Sequence, residues 1–151
     1  KDITPLLADP GALRLAVDAL AEGFAGEGIT KVVGIEARGF ILATPVALAL
    51  GAGFVPVRKA GKLPSAINRH AYDLEYGSDV VEIHSDAIGP EDRVLVVDDV
   101  LATGGTAAAT MALLAQSGAT VAALGFLIEL GFLAGREALG DASITSLITY
   151  P

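Results

Sequence analysis

Apolar residues recur along this chain at two spacings, and each spacing predicts a kind of element. Leu13, Ala16, Val17 and Leu20 fall three and four apart, the period of one helix face. Asp9 stands where a capping side chain belongs, Pro10 suits the first helical position, and Gly26 and Gly28 end the run. Short apolar runs at 31–35, 54–58, 94–97, 121–128 and 144–148 predict strands. Residues 40–50 predict a helix bent by Pro45, residues 107–116 a further helix with Met111 in the core, and residues 135–139 a short last one. The run 121–128 is nearly all apolar, as a strand buried on both faces would be. Strands alternating with helices predict an α/β fold, a mostly parallel central sheet with helices on both faces. Ligands of such sheets gather beyond the carboxyl ends of the strands. Segments 36–39, 58–62 and 98–106 all fall on that edge.

Residues 59–85 break the alternation. Gly61, Pro64, Asn68 and Gly77 stand among polar residues, and 72–76 and 80–84 alternate weakly, like the two arms of a ribbon. A segment of this length inside a compact domain reads as a functional flap.

Composition narrows the function classes. The 151 residues suit one domain, 1–151, and the 52% of hydrophobic residues excludes a disordered chain. The most apolar stretch, 41–50, is broken by Thr44 and Pro45 and falls short of the ~18 residues of a membrane helix. The first residues do not have the pattern of a signal peptide, and the absence of cysteine excludes a disulfide framework or thiolate zinc site, so the cytoplasm is the expected compartment. A net charge of −8 argues against nucleic acid as a partner. Against that acidity, four of the ten basic residues (Arg58, Lys59, Lys62 and Arg69) fall within residues 58–69, either as a solvated loop or as a local anion site. His70 and His84 do not lie at the spacing of a metal site.

The chemistry concentrates in residues 94–106, Val-Leu-Val-Val-Asp-Asp-Val-Leu-Ala-Thr-Gly-Gly-Thr. In Ala102, Thr103, Gly104, Gly105 and Thr106, glycines let backbone N–H groups approach an anion and two hydroxyls add donors, just where a helix begins. No Gly-Lys-Ser/Thr ending is present, so this is not a nucleoside-triphosphate loop. Asp98 and Asp99 would repel if both were buried. They are either strand-end carboxylates facing water or acceptors for vicinal ribose hydroxyls and partners of a hydrated Mg²⁺. Together with the turn they describe a ribose 5-phosphate pocket.

This stretch resembles the phosphoribosyl-diphosphate motif of type I phosphoribosyltransferases. Asp2-Ile3-Thr4-Pro5-Leu6-Leu7, Ile35-Glu36-Ala37-Arg38-Gly39-Phe40, Arg58-Lys59-Ala60-Gly61-Lys62-Leu63-Pro64, Leu74-Glu75-Tyr76-Gly77 and Gly135-Arg136-Glu137 resemble, in order and spacing, the adenine phosphoribosyltransferases. The resemblance implies that adenine and 5-phosphoribosyl 1-diphosphate give AMP and diphosphate, with Mg²⁺, in a homodimer. It implies that Ala102 to Thr106 cradle the 5-phosphate and that Asp98 and Asp99 hold the ribose, touching metal only through water. It implies a diphosphate loop at 36–39 with a cis peptide at Glu36-Ala37. Arg38, Arg58, Lys59 and Lys62 would bind diphosphate. Arg38 and Glu75 would be the catalytic residues, Glu75 handling the purine proton, with Tyr76 beside it on the flap. Leu130 would pack on the purine. The family extends upstream of Lys1, where a further stretch helps to form the adenine pocket. A phosphoribosyltransferase for another base and a non-catalytic regulator that binds phosphoribosyl diphosphate are the alternatives.

Overall fold

The computed structural model describes residues 2–74 and 77–151. Its elements run α1 (Thr4–Ala8), α2 (Pro10–Glu22), β1 (Lys31–Ile35), α3 (Gly39–Leu50), β2 (Gly53–Lys59), β3 (Ile67–Asp73), β4 (Ser78–His84), β5 (Arg93–Leu101), α4 (Gly105–Ala115), β6 (Thr120–Leu130) and β7 (Ile144–Tyr150), with 3-10 turns at Gly131–Leu133 and Glu137–Leu139. The strands form one seven-stranded sheet in the order β3-β4-β2-β1-β5-β6-β7. The five strands from β2 to β7 pair in parallel. The β3–β4 ribbon joins antiparallel, through only Arg58↔Glu82 and Lys59↔Val81. Pro56, which has no N–H, sits where β2 has β1 as its registered neighbour and β4 has not yet joined.

Side-chain alternation along the central strands divides the core in two. Val32, Leu95, Val97 and Leu127 face α2 and α3, where they meet Leu20, Leu42 and Val46. Val33, Val94, Val96 and Phe126 face the other way, onto Leu113 and Leu114 of α4. Burying such a side chain contributes roughly 1.5–3 kcal/mol. Asp9 caps α2, accepting from the Ala12 N–H at 2.7 Å. Among the described residues no helix is long and apolar enough to cross a membrane.

Several boundaries differ from the sequence expectation. Helix α1 has no buried residue, so no apolar stripe announces it. β5 continues through Asp98 and Asp99 to Leu101 because β6 pairs alongside, Asp98 beside Phe126. Of 135–139, only Glu137–Leu139 is helical, as a 3-10 turn. The largest correction concerns 59–85. The first arm of the ribbon, β3, begins at Ile67, five residues before the expected 72–76, of which residues 75 and 76 lie outside the described residues, and the second arm is a sheet strand in which Val81, Glu82 and Ile83 are all buried.

Candidate active site

The turn between β5 and α4 carries the first half of the site. Gly104 caps α4 in the left-handed region, at φ 83°. That conformation suits glycine, and no side chain of the described residues caps the first helical N–H groups. A hollow of about 90 Å³ opens there, lined by Asp98, residues 100–107 and Phe126. Thr103 is exposed, while Thr106 is half-buried and lies 3.2 Å from the hydroxyl of Tyr72 on β3.

Asp98 and Asp99 stand on the strand that feeds this turn. The Asp99 N–H donates to Asp98 Oδ1 at 2.9 Å. Burial, with the Asp99 charge beside it, pushes the Asp98 carboxyl well above the usual carboxylate range. Asp99 is buried and accepts from Arg38 Nε at 2.5 Å, while the rest of Arg38 remains exposed.

Arg38 belongs to the turn between β1 and α3, where the Glu36-Ala37 peptide is cis. Glu36 organises this side of the site. It accepts from the Lys59 N–H at 2.8 Å and Arg58 Nε at 3.3 Å, and pairs with Lys62 Nζ. Burial alone would raise its pKa, but Lys62, the Lys59 amide and Arg58 outweigh that and hold it low. Lys59 Nζ pairs with Asp79 and donates to the Tyr72 hydroxyl at 2.7 Å. Burial opposes the Lys59 charge, and these two partners overcome it, raising its pKa. Glu82, only 1% exposed, accepts from the Gly61 N–H at 3.0 Å and so fixes the bend that displays Arg58, Lys59 and Lys62.

These pieces meet around a cleft of about 480 Å³ lined by residues 35–38, Lys59, residues 98–100, Ala102 and Thr106. Of the residues predicted from sequence, Arg38, Lys59, Asp98, Asp99, Ala102 and Thr106 line it directly, and Thr103, Gly104 and Gly105 line the adjoining hollow. Arg58 and Lys62 stand behind it, on Glu36. Leu130 lines neither space and packs with the core cluster on the α2–α3 side. Glu75 and Tyr76 lie outside the described residues. Sequence reasoning missed Asp79, Glu82 and the anchoring role of Glu36. The signal for Asp79 and Glu82 was the run of acidic residues that follows the basic cluster, and Glu36 had none of that kind.

Comparison with known proteins agrees with this geometry. The model of the phosphoribosyl transferase domain matches residues 7–139. The adenine phosphoribosyltransferase of Thermobifida fusca is 60% identical over 99% of this chain and 85% of its own length. The chain belongs to the adenine phosphoribosyltransferase family. The crystal structure of the family member from Rhodothermus marinus, 54% identical, superposes with a TM-score of 0.96 over 99% of this chain and 86% of that one. The Saccharomyces cerevisiae enzyme, complexed with an imino-altritol 1,6-bisphosphate and adenine, is 45% identical with a TM-score of 0.90, over 97% of this chain and 85% of that one. Family membership accounts for the order of segments along the sheet edge and for the type I fold.

Proposed function

We propose that the chain transfers the 5-phosphoribosyl group of 5-phosphoribosyl 1-diphosphate to adenine, giving AMP and diphosphate for purine salvage. The observation that carries this reading is the meeting of a helix-terminal anion turn, an acid pair and clustered cations at one cleft. The relatives named above support adenine as the base.

In this reading the N–H groups opening α4, with Thr103 and Thr106, bind the 5-phosphate, aided by the helix dipole. Asp98 and Asp99 accept from the ribose hydroxyls. Arg38, aimed into the cleft by Asp99, receives the diphosphate as it leaves the anomeric carbon, with Arg58, Lys59 and Lys62 behind it. The departing charge leaves an oxocarbenium-like ribose, so positioning and electrostatics supply most of the catalysis. Glu75 moves the purine proton, Tyr76 and its flap exclude water, and Leu130, which lines neither the cleft nor the hollow, meets the base only where the base extends beyond them. Mg²⁺ fits the chemistry of the donors: two adjacent carboxylates, both lining the cleft, are oxygen ligands of the kind this ion takes directly or through the waters it keeps. Asp98 and Asp99 would hold it through water, and when bound it neutralises diphosphate charge. The same reading makes the protein a cytoplasmic homodimer, and exposed Leu15, Leu48 and Phe132 offer apolar surface for such a contact.

Incubation with Mg²⁺, phosphoribosyl diphosphate and a panel of adenine, guanine, xanthine and orotate tests the proposal. AMP formed in preference to the other nucleotides is expected. Product from another base alone, or binding without product, overturns it.

A further inference from the structure

The Gly135-Arg136-Glu137 segment has no part in the chemistry above, yet it touches the phosphate turn. Glu129, near the end of β6, is 7% exposed. Arg136 Nε and Nη2 donate to its two carboxylate oxygens, both at 2.7 Å. A planar guanidinium forked onto a carboxylate fixes direction as well as distance. Arg136 Nη1 also reaches the Ile144 carbonyl on β7, at 3.4 Å. The pair thus ties the segment after β6 back onto the sheet.

What it ties down is Gly135. A Cβ on Gly135 would stand 2.2 Å from the Ala102 carbonyl oxygen, and a Cβ on Gly104 would stand 2.4 Å from the Gly135 carbonyl oxygen. The two backbones interlock with no side chain between them to yield. A shift of Gly135 therefore presses directly on the backbone of residues 102–104.

We propose that the Glu129–Arg136 pair positions the 5-phosphate turn, acting through the backbone of Gly135. This rests on the reading that Ala102 to Thr106 hold the 5-phosphate. Arg136 is a positioning residue: its partners are Glu129 and β7, and it does not line the cleft. The diphosphate groups come from other segments, 36–38 and 58–62. Loosening the pair weakens 5-phosphate binding and leaves diphosphate binding alone, whereas general damage to the fold weakens both.

The test is calorimetric titration of ribose 5-phosphate and, separately, of magnesium diphosphate, into the wild-type chain and its Arg136→Ala, Arg136→Lys and Glu129→Gln variants, with melting curves alongside. Arg136→Ala and Glu129→Gln are expected to raise the Kd for ribose 5-phosphate about tenfold, the scale of a sub-ångström misplacement. Arg136→Lys, which keeps the charge without the fork, recovers part of the loss, and diphosphate affinity stays within about twofold. Equal loss for both ligands in step with the melting temperature, or no loss for either, overturns the proposal. If Arg136→Ala does not fold, Glu129→Gln decides by the same criterion. Wild-type binding of ribose 5-phosphate that Gly104→Ala leaves untouched overturns the reading of the turn itself. Binding that Gly104→Ala abolishes and the pair's variants leave unchanged overturns the positioning role alone.

Discussion

Adding a single methyl group at Gly104 separates the cost of a strained backbone from the cost of a crowded turn. Gly104→Ala places a Cβ at φ 83°, where an L side chain costs about 1–2 kcal/mol. For a chain of this size that lowers the melting temperature by about 2–4 °C per kcal/mol. The same Cβ would lie 2.4 Å from the Gly135 oxygen and 3.0 Å from Ala138 Cβ. Since real Cβ contacts rarely fall under 3.0 Å, roughly 0.6 Å must open between the two segments. Displacing a phosphate-binding turn by that much should cost on the order of tenfold to a hundredfold in kcat/KM for phosphoribosyl diphosphate. Gly26→Ala is the control: it has the same handedness, φ 80°, with nothing within 4 Å of its added Cβ. Initial rates of AMP formation and melting curves on both variants decide the matter. Both should melt earlier, and only Gly104→Ala should lose activity. Wild-type kcat/KM in Gly104→Ala, or an equal loss in Gly26→Ala, refutes the argument.

Asp99→Asn should weaken use of phosphoribosyl diphosphate about tenfold, because the carboxylate that aims Arg38 becomes an uncharged amide and the ion pair is lost; steady-state kinetics will show it in kcat/KM. Glu82→Ala takes from the Gly61 N–H its acceptor and from Arg69 its carboxylate, and should raise KM for phosphoribosyl diphosphate, while Glu82→Gln, which keeps an acceptor oxygen, should restore most of it. Glu75→Ala should lower kcat more than it alters sugar-phosphate affinity, and an unchanged kcat would remove Glu75 from the mechanism. Burial raises the pKa of Asp92, but the Gly89 N–H and the Thr30 hydroxyl outweigh it and hold the group below its ordinary 3.8. The folded chain then binds fewer protons than the unfolded one in that range. Its contribution is complete above pH 3.8 and disappears as pH falls through the folded value, so acid titrations of stability should be shallower for Asp92→Asn.

How far the sequence discloses this molecule depends on the range of the interaction. Strand β1 has the boundaries its apolar run predicts, because burial on both faces leaves the pattern uninterrupted. The turn at 102–106 is equally legible, since its glycines, its hydroxyls and the helix after it are contiguous. The second ribbon arm was hidden by Glu82, a carboxylate at a fully buried strand position whose partners, Gly61 and Arg69, are 21 and 13 residues away. Glu36 binds cations 22 to 26 residues further on, and the Gly135 contact with Ala102 spans two separate loops. Nothing in local periodicity encodes such pairings, which exist only once the sheet has set the register of its strands. Resemblance to a family supplied Glu36, Gly61, Ala102 and Gly135 without supplying what holds them, and it did not supply Glu82.

The four cations around the cleft are already paired, with three carboxylates among them: Arg38 has Asp99, Arg58 and Lys62 share Glu36, and Lys59 has Asp79. An arriving polyanion must displace an internal counter-ion rather than settle into an unbalanced positive basin. The net gain from charge is the difference between two similar contacts, so stray sulfate or chloride wins little by competing. Discrimination then falls to the shape of the rigid turn and its fixed N–H donors, and affinity for diphosphate should vary less steeply with ionic strength than four cations would otherwise suggest.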